Sequence, residues 1–305
     1  MWIIYVENKK KVRETPLHLM MLPGVILLIV FSYVPMAGVI IAFQRFVPAK
    51  GLFGAQEFIG LENFRYVFNL PNFGGVIYNT VIIAVFKIIL GLIVPLIVTI
   101  LINELKNVLL KKGIQTAIYL PHFLSWVVLG GIFIDILSPS DGIVNRIIEM
   151  FGGESIFFLG SNETFRGTMI VTETWKEFGY GTIVYLAAVT GIDPGLYEAA
   201  KIDGANRWQQ IWHVTLPGIR IVIVLMTVLS LGNVLNAGFD QIFNLYSPPV
   251  YASGDILDTF VYRIGLLDAQ FGVATAVGLF KSIISFVFVS VSYLAAFKFA
   301  DYELF

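Results

Sequence analysis

The sequence predicts an all-α membrane protein with six transmembrane helices. The 305-residue chain is 57% hydrophobic and only 13% charged, whereas charged residues make up about a quarter of an ordinary soluble domain. Its mean hydropathy is +0.81. The apolar runs are continuous and about twenty or more residues long, the length that a helix needs to cross a bilayer. A transmembrane barrel would instead show alternating segments of about ten residues.

The apolar runs place the helices in order along the chain. The predicted spans cover about 17–43, 78–103, 115–137, 167–189, 217–239 and 274–299. A polar segment, 1–16, precedes the first span, and 17–305 is expected to form a single transmembrane domain. The first run lacks the small-residue cleavage site of a signal peptide, so we expect it to be retained as a span.

Lysine and arginine are divided unevenly between the two sides of the membrane. The side that holds both termini, the loop after the second span and the loop after the fourth is the richer one. Its basic residues are Lys9, Lys10, Lys11, Arg13, Lys106, Lys111, Lys112, Lys201, Arg207, Arg220 and Lys298. Because cytoplasmic loops carry the positive excess, we expect both termini and the 193–216 loop to be cytoplasmic.

The composition excludes several kinds of chemistry. The chain has no cysteine, which rules out disulfides, iron–sulfur clusters and thiol catalysis. Its histidines, His18, His122 and His213, lie in different segments and lack metal-ligand spacing. No Gly-rich phosphate loop of the Walker type occurs, so any coupling to ATP must come from a partner. We therefore expect this chain to bind no cofactor, and the net charge of −1 gives no sign of nucleic-acid binding.

The loop between the fourth and fifth spans is the most informative part of the sequence. Asp193-Pro194 is a favourable N-cap and first helical residue, Gly204 is expected to end that helix, and 205–214 is expected to form a second short one. Ala199 and Ala200 give the first helix a small surface beside the carboxylate of Glu198. Two short helices with a small-residue face and a few charges predict a docking surface.

These residues resemble the EAA loop of ATP-binding cassette (ABC) importer permeases. The match consists of Glu198-Ala199-Ala200, Gly204 and Val214-Thr215-Leu216-Pro217, with Val214 where the family has Ile. The resemblance implies a type I ABC importer permease fold with a cytoplasmic coupling helix that fits a cleft on the ATPase subunit. The residues that it implies for ATPase coupling are Glu198, Ala199, Ala200, Asp203 and Gly204.

Other stretches extend the resemblance to most of the chain. LPGVILLIVFSYVPMAGVIIAF, IGLENFRYVF, YLPHFLSWVVLGGIF and QFGVATAVGLFKSIISF are similar to those of carbohydrate-importing ABC permeases. GNVLNAGFDQIFNLYSPPVY and FVYRIGL look like the subgroup that imports alginate and rhamnogalacturonan oligosaccharides. The implied function is import of oligosaccharides, with acidic ones among the candidates, and not enzymatic catalysis.

The family also implies the assembly and its location. Two homologous permease subunits, usually different, would form the pore by alternating access. Two ATPase subunits would hold ATP and Mg, and an extracellular solute-binding protein would deliver the sugar. The chain would be a multi-pass protein of the bacterial cytoplasmic membrane, embedded in the lipid bilayer.

Polar residues in the fifth span are candidates for the substrate pathway. Asn233, Asn236 and Asp240 stand at i, i+3 and i+7, which would be one helical face, with Phe239 beside them. Amides, a carboxylate and a ring suit sugar hydroxyls and C–H faces. Hydrogen bonds between helices are the alternative use of these residues.

The fourth span supplies further candidates. Trp175, Lys176, Glu177 and Tyr180 are predicted pathway residues. Glu173, Lys176 and Glu177 could partly neutralise one another, and Glu173 and Lys176 stand at i, i+3, a workable spacing for an ion pair. A purely structural ion pair is the alternative.

Three isolated polar residues in other spans complete the set. Lys87 and Lys281 are expected to face the pore or to be ion-paired, although Lys281 could snorkel to the outer surface. Pro121-His122 predicts a kink with a locally satisfied histidine.

Two other functions remain open on the sequence alone. The first is an ABC permease for a different solute, such as glycerol phosphate. Lys87, Lys176 and Lys281 would suit an anion or a uronate oligomer, whereas the external loops carry an acidic excess, so ligand charge stays open. The second is a secondary transporter that needs no ATPase, although such carriers commonly show paired repeats, which are not found here.

Overall fold

The computed structural model describes residues 2–52 and 54–300, with side chains described for 15–52 and 54–294. Met1, Phe53 and 301–305 lie outside the described residues, and with them the end of the predicted transmembrane domain. The side chains of the N-terminal basic residues and of Lys298, used above to orient the chain, also lie outside this part.

Helices make up almost all of the described chain. The α-helices are α1 (Trp2–Leu28), α2 (Val34–Met36), α3 (Glu62–Phe68), α4 (Phe73–Asn103), α5 (Val108–Tyr119), α6 (Trp126–Ile136), α7 (Ile143–Met150), α8 (Phe165–Thr190), α9 (Pro194–Ile202), α10 (Arg207–Gln210), α11 (Leu216–Gly218), α12 (Arg220–Leu231), α13 (Phe239–Leu245), α14 (Tyr251–Gly254), α15 (Leu257–Tyr262) and α16 (Phe271–Ala300). Short 3₁₀ and π turns lie at Ile29–Tyr33, Ala37–Phe43, Pro48–Lys50, Leu120–Phe123, Ile211–Thr215, Pro248–Val250 and Arg263–Leu267. The strands β1 (Gln44–Arg45) and β2 (Glu57–Phe58) pair antiparallel, with Gln44 opposite Phe58.

The predicted spans correspond to helices of two kinds. Within the described residues, Thr15–Phe43, Phe73–Asn103 and Phe271–Leu294 are each long and apolar enough to cross a membrane. Two bent pairs, Val108–Phe123 with Trp126–Ile136 and Arg207–Gly218 with Arg220–Leu231, pass the same test when each pair is taken together. The fourth predicted span is the 26-residue helix α8. Six spans are consistent with this arrangement.

The first span stands apart from the rest of the molecule. Only 6% of its most apolar window is buried, and its packing against the body runs through the Ala37–Phe43 turn on α16. The helix already begins at Trp2, so no helix boundary separates 1–16 from the span. An apolar helix left this exposed has its sides free for lipid or for another subunit.

The third predicted span is not one straight helix. α5 and α6 meet at 105°, with the chain between them passing through the Leu120–Phe123 turn. Pro121 cannot donate a backbone hydrogen bond, and Ser125 caps a new helix by accepting from Val128 N at 3.4 Å. The kink expected at Pro121 is therefore confirmed, as a full break rather than a bend within a continuous span.

The fifth predicted span is also wrong as a single helix. The chain bends by 62° at Ile219, α12 ends at Leu231, and 232–238 is non-helical. Helix resumes only after Gly238, whose φ is +91°, a left-handed conformation that glycine adopts without steric cost. The two glycines that bracket this segment, Gly232 and Gly238, explain why the helix is interrupted here.

The core forms where α8 packs along α4. Phe165, Met169 and Tyr185 of α8 are fully buried. Phe165 and Met169 cluster with Ile242 and Ile256, whereas Tyr185 packs in a separate cluster. Glycine allows the closest approach, because a Cβ at Gly179 would lie 1.9 Å from the carbonyl oxygen of Ile118 in α5. This approach fixes α5 against the middle of α8.

Gly179→Ala is expected to destabilise the fold by about 1–3 kcal/mol, because the added methyl overpacks the contact with α5. Gly167→Ala is the matched control in the same helix, since a Cβ there meets nothing within 4 Å; it should be neutral or stabilising by up to about 1 kcal/mol. Unfolding by SDS in mixed micelles measures both free energies. Equal stability of the two variants would contradict the close approach.

Candidate functional site

The loop after α8 folds as the sequence predicts at its start. Asp193 caps α9, its Oδ1 accepting from Gly195 N at 2.8 Å, and Pro194 takes the first helical position. The hydroxyl oxygens of Tyr197 and Thr215 lie 3.0 Å apart. This contact ties the first short helix to the second.

Gly204 ends α9, as predicted, in a left-handed conformation with φ +80°. Gly204 N donates to Lys201 O at 3.1 Å and Ala205 N to Ala200 O at 2.9 Å, the pairing of a Schellman C-cap. Asn206 then starts α10 with a capping box shared with Gln209. The second helix begins two residues later than expected and continues to Gly218.

The residues predicted to couple to the ATPase lie on an accessible surface of this loop. Glu198, Ala199, Asp203 and Gly204 are exposed and Ala200 is half-buried. A hollow of about 300 Å³ lies between the two helices, lined by Ala200, Asp203, Gly204, Ala205, Gln209, His213 and Val214.

Large exposed apolar side chains on the same two helices were not among the predicted coupling residues. Ile202, Trp208 and Trp212 are 86%, 72% and 63% exposed. Trp208 and Trp212 stand at i and i+4, a spacing that places both on one face of the helix and could have revealed them. Arg207 anchors this helix to the end of α4 through an ion pair with Glu104 at 3.3 Å. A rigid, apolar, exposed surface of this kind suits docking of another protein.

A polar cluster joins the middle of α8 to the break between α5 and α6. Glu177 Oε2 lies 2.7 Å from His122 Nδ1, and its Oε1 accepts from Lys176 Nζ at 2.5 Å. Lys176 also donates to the His122 carbonyl at 3.1 Å. The His122 ring stacks on Tyr180 with centroids 4.3 Å apart. The structure thus brings the predicted residues Lys176, Glu177 and Tyr180 together, whereas His122 is satisfied from another helix rather than locally.

The predicted ion pair between Glu173 and Lys176 is wrong. Glu173 Oε2 faces Lys87 Nζ of α4 at 3.6 Å, while Lys176 is paired with its neighbour Glu177. Lys87 also donates to the carbonyl of Ala237 at 2.6 Å and to Gln241 Oε1. The i, i+3 spacing allows Glu173 to pair with Lys176, but Lys87 on the facing helix α4 binds the Glu173 carboxylate instead.

This lysine holds the irregular 232–238 segment in place. The backbone conformation of Gly238 favours glycine, and a Cβ there would lie 2.8 Å from Lys87 Nζ, so a larger residue would displace the ammonium group. Gln241 in turn donates to Met169 O at 2.8 Å and to Thr172 Oγ1 at 2.7 Å on α8. Lys87 is therefore ion-paired, one of the two expected states.

The predicted helical face of Asn233, Asn236 and Asp240 does not exist, because Asn233 and Asn236 lie in the non-helical segment and Asp240 begins α13. All three side chains are nevertheless exposed, and Phe239 is half-buried. Asn236 Oδ1 accepts from Gly238 N at 3.4 Å. These polar side chains thus remain accessible to solvent beside the core, but on the non-helical segment and the start of α13 and not along one face of a helix.

Trp175 lies on a different side of α8 from the His122 cluster. It is 44% exposed, contacts the Phe133 ring edge-on at 5.6 Å and borders an apolar cavity of about 700 Å³ between α6 and α8.

Lys281 is ion-paired with Asp258 at 2.5 Å rather than snorkelling outward. Among the described residues, no group of three or more His, Asp or Glu side chains could hold a metal ion.

Comparisons with known proteins show the family and the fold of this chain. The sequence model of the family described as "Binding-protein-dependent transport system inner membrane component" matches residues 91–299. The "Polygalacturonan/rhamnogalacturonan transport system permease protein YteP" of Bacillus subtilis (strain 168) is 40% identical, over 98% of this chain and 95% of its own length.

Two solved structures are similar over almost the whole fold. One is "a bacterial ABC transporter involved in the import of the acidic polysaccharide alginate", with a TM-score of 0.87 and 36% identity over 95% of this chain and 98% of that one. The other is a "bacterial alginate ABC transporter in complex with alginate pentasaccharide-bound periplasmic protein", with a TM-score of 0.86 and 36% identity over 94% and 96%.

Proposed function

Because this chain belongs to the family of binding-protein-dependent transport system inner membrane components, we propose that it carries acidic oligosaccharides of plant or algal polysaccharides across the bacterial cytoplasmic membrane. The chain is a permease subunit of an ABC importer, a transport protein and not an enzyme. Its helical fold with a loop between α8 and α12 is that of the type I permeases.

The observation that carries the substrate class is the agreement of two near-full-length matches. The 40%-identical relative is named for polygalacturonan and rhamnogalacturonan, and the 36%-identical structure for alginate. Both kinds of polymer contain uronic acids. This agreement favours a sugar over glycerol phosphate, and the family favours an ATP-driven importer over a secondary transporter.

Coupling to ATPase subunits, which would hold ATP and Mg, is proposed to run through the 193–216 loop. The exposed Trp208 and Trp212 and the hollow beside Ala200 support this role, because they offer apolar surface and a cleft to a partner. Glu198 and Asp203 would offer carboxylates to basic groups there. The Lys and Arg bias supports a cytoplasmic position for this loop and for both termini.

A second, homologous permease subunit is proposed to complete the pore as a heterodimer. The exposed first span supports this, because its apolar sides lack intramolecular packing. An extracellular solute-binding protein would deliver the sugar, as the complex with a periplasmic protein suggests for the alginate transporter. Alternating access would then move sugar past Asn233, Asn236, Phe239 and Asp240, and past Trp175, Lys176, Glu177 and Tyr180 on α8.

The test is ATPase stimulation in nanodiscs. The chain, its partner permease and ATPase are reconstituted, and the binding protein is added with matched neutral and uronic oligosaccharides. We expect uronic oligosaccharides to stimulate ATP hydrolysis and neutral ones of equal length to do so less. Stimulation by neutral sugars alone would overturn the acidic substrate, and stimulation by none would overturn the carbohydrate substrate altogether.

A further inference from the structure

Aromatic side chains line one face of α13. Phe239 and Phe243 stand at i and i+4, which places them on the same side of the helix, and Tyr246 follows as the residue that ends it. The Phe239 and Phe243 rings stack with centroids 5.2 Å apart, and the Phe243 and Tyr246 rings are 6.3 Å apart. The row continues outward from the predicted pathway residue Phe239.

Two further rings and a guanidinium group extend this row. Tyr262 of α15 lies edge-on to Phe243 at 4.9 Å, and Tyr251 lies 5.0 Å from Tyr246. The guanidinium carbon of Arg263 sits 4.8 Å above the Tyr251 ring. We call this set, Phe239, Phe243, Tyr262, Tyr246, Tyr251 and Arg263, the aromatic track.

Both ends of the aromatic track open into cavities. Tyr251 and Arg263 line a cavity of about 500 Å³ beside the start of α4. Phe239 and Tyr262 line a second cavity, of about 760 Å³, against α16. The rings between them remain partly exposed, and Phe243 is 39% exposed, in contrast to the fully buried core rings of Phe165 and Tyr185. A track with accessible rings joins two spaces that could hold ligand.

The chemistry of the track matches one class of ligand. Aromatic faces accept the C–H faces of sugar rings, and tyrosine hydroxyls add hydrogen bonds. Arg263 Nη2 is ion-paired with Asp255 Oδ2 at 2.5 Å, and its Nη1 is buried without a hydrogen-bond partner among the described residues. The guanidinium group lines the 500 Å³ cavity, and its planar fork suits a carboxylate that enters there.

We propose that the aromatic track is an outer subsite that holds successive units of an acidic oligosaccharide between the extracellular mouth and the polar residues of the 232–240 segment. It rests on the proposed function and names residues beyond that pathway: Phe243, Tyr246, Tyr251, Tyr262 and Arg263. Short sugars cannot occupy several rings at once, so the track favours longer ligands and gives the importer selectivity for chain length. Arg263 binds a carboxylate of the oligosaccharide at the outer end of the track.

The experiment measures uptake into proteoliposomes of the complete transporter, with a uronic disaccharide, a uronic pentasaccharide and a neutral pentasaccharide. Phe243→Leu should raise KM for both pentasaccharides about three- to tenfold, the loss expected for one stacking contact, and change kcat and the disaccharide KM less. Phe288→Leu is the control, because this ring of α16 is similarly exposed at 44% and borders neither cavity. Arg263→Lys, which keeps the charge but loses the planar fork, should raise KM for the uronic pentasaccharide only.

The outcomes separate the two proposals. Suppose that wild-type transporter takes up the sugars, but the KM for the pentasaccharides is the same for Phe243→Leu and Phe288→Leu. The track is then not a subsite, and the proposed function stands. Equal increases of KM for disaccharide and pentasaccharide would likewise overturn the track, because a general packing defect ignores chain length. If wild-type transporter takes up none of the sugars, both proposals fall.

Discussion

Gly204→Pro is expected to reduce transport to background and to remove the ATPase subunits from the purified complex. Gly204 has φ +80°, and the proline ring fixes φ near −65°. The substitution also removes the N–H that donates to Lys201 O at 3.1 Å. The turn between α9 and α10 cannot then form, and the hollow beside Ala200 loses its shape. Uptake of the loaded sugar and copurification of the ATPase measure the effect.

The chain contains a close structural match for the control. Gly152 ends α7 with φ +82°, Gly152 N donates to Glu149 O at 2.9 Å, and Gly153 N donates to Ile148 O at 3.0 Å. Gly152→Pro therefore breaks the same kind of cap, at a cost similar to that at Gly204, but before α8 and not after it, on the side that the sequence predicts to be extracellular. We expect the ATPase to remain bound to the Gly152→Pro complex. Loss of the ATPase from both variants would show a global defect and contradict a coupling role specific to the loop.

A second substitution tests the surface without breaking the turn. Ala200→Trp keeps a residue compatible with helix but fills part of the hollow that Ala200 lines. We expect membrane insertion and folding to be retained while the ATPase is lost and transport falls to background. Normal uptake by either this variant or Gly204→Pro would sink the coupling assignment.

The parts of the fold that the sequence predicted share one physical basis. Continuous apolar runs gave the second, fourth and sixth spans within about five residues of α4, α8 and α16, because the bilayer imposes helix length. The 193–216 loop could be predicted equally well, since Asp193-Pro194 starts a helix and Gly204 ends it through their own backbone conformation. Local signals of this kind depend only on neighbouring residues.

The parts that were mispredicted depend on contacts between distant segments. The pairing of His122 with Glu177 joins positions 55 residues apart. Glu173 pairs with Lys87 and not with Lys176 because α4 faces α8, which the sequence alone does not show. The broken fifth span was indicated by Gly232 and Gly238, yet glycine is common in transmembrane helices and was not taken as a stop. Helical periodicity therefore placed Asn233, Asn236 and Asp240 on a face that the backbone does not form.

Lys87→Met is expected to destabilise the folded state by about 3–5 kcal/mol, the range for removing one partner of a buried ion pair. The lysine side chain is 9% exposed and that of Glu173 24%. Without the ammonium group, Glu173 keeps a charge that has no other cation within ion-pair distance among the described residues, and its Oε2 already lacks a hydrogen-bond partner. The carbonyl of Ala237 and the Gln241 side chain lose their donor as well. SDS-induced unfolding in mixed micelles, followed by tryptophan fluorescence, measures the change.

A double-mutant cycle separates the ion pair from the loss of packing. Adding Glu173→Gln to Lys87→Met removes the stranded charge, so the double variant should be more stable than Lys87→Met alone. Lys111→Met, at a half-buried position in α5, should stay within about 0.5 kcal/mol of wild type. A Lys87→Met protein as stable as the Lys111→Met protein would contradict the network. Because Lys87 also holds Ala237, its loss should release the 232–238 segment, and transport should fall even in the double variant, whose charge balance is restored.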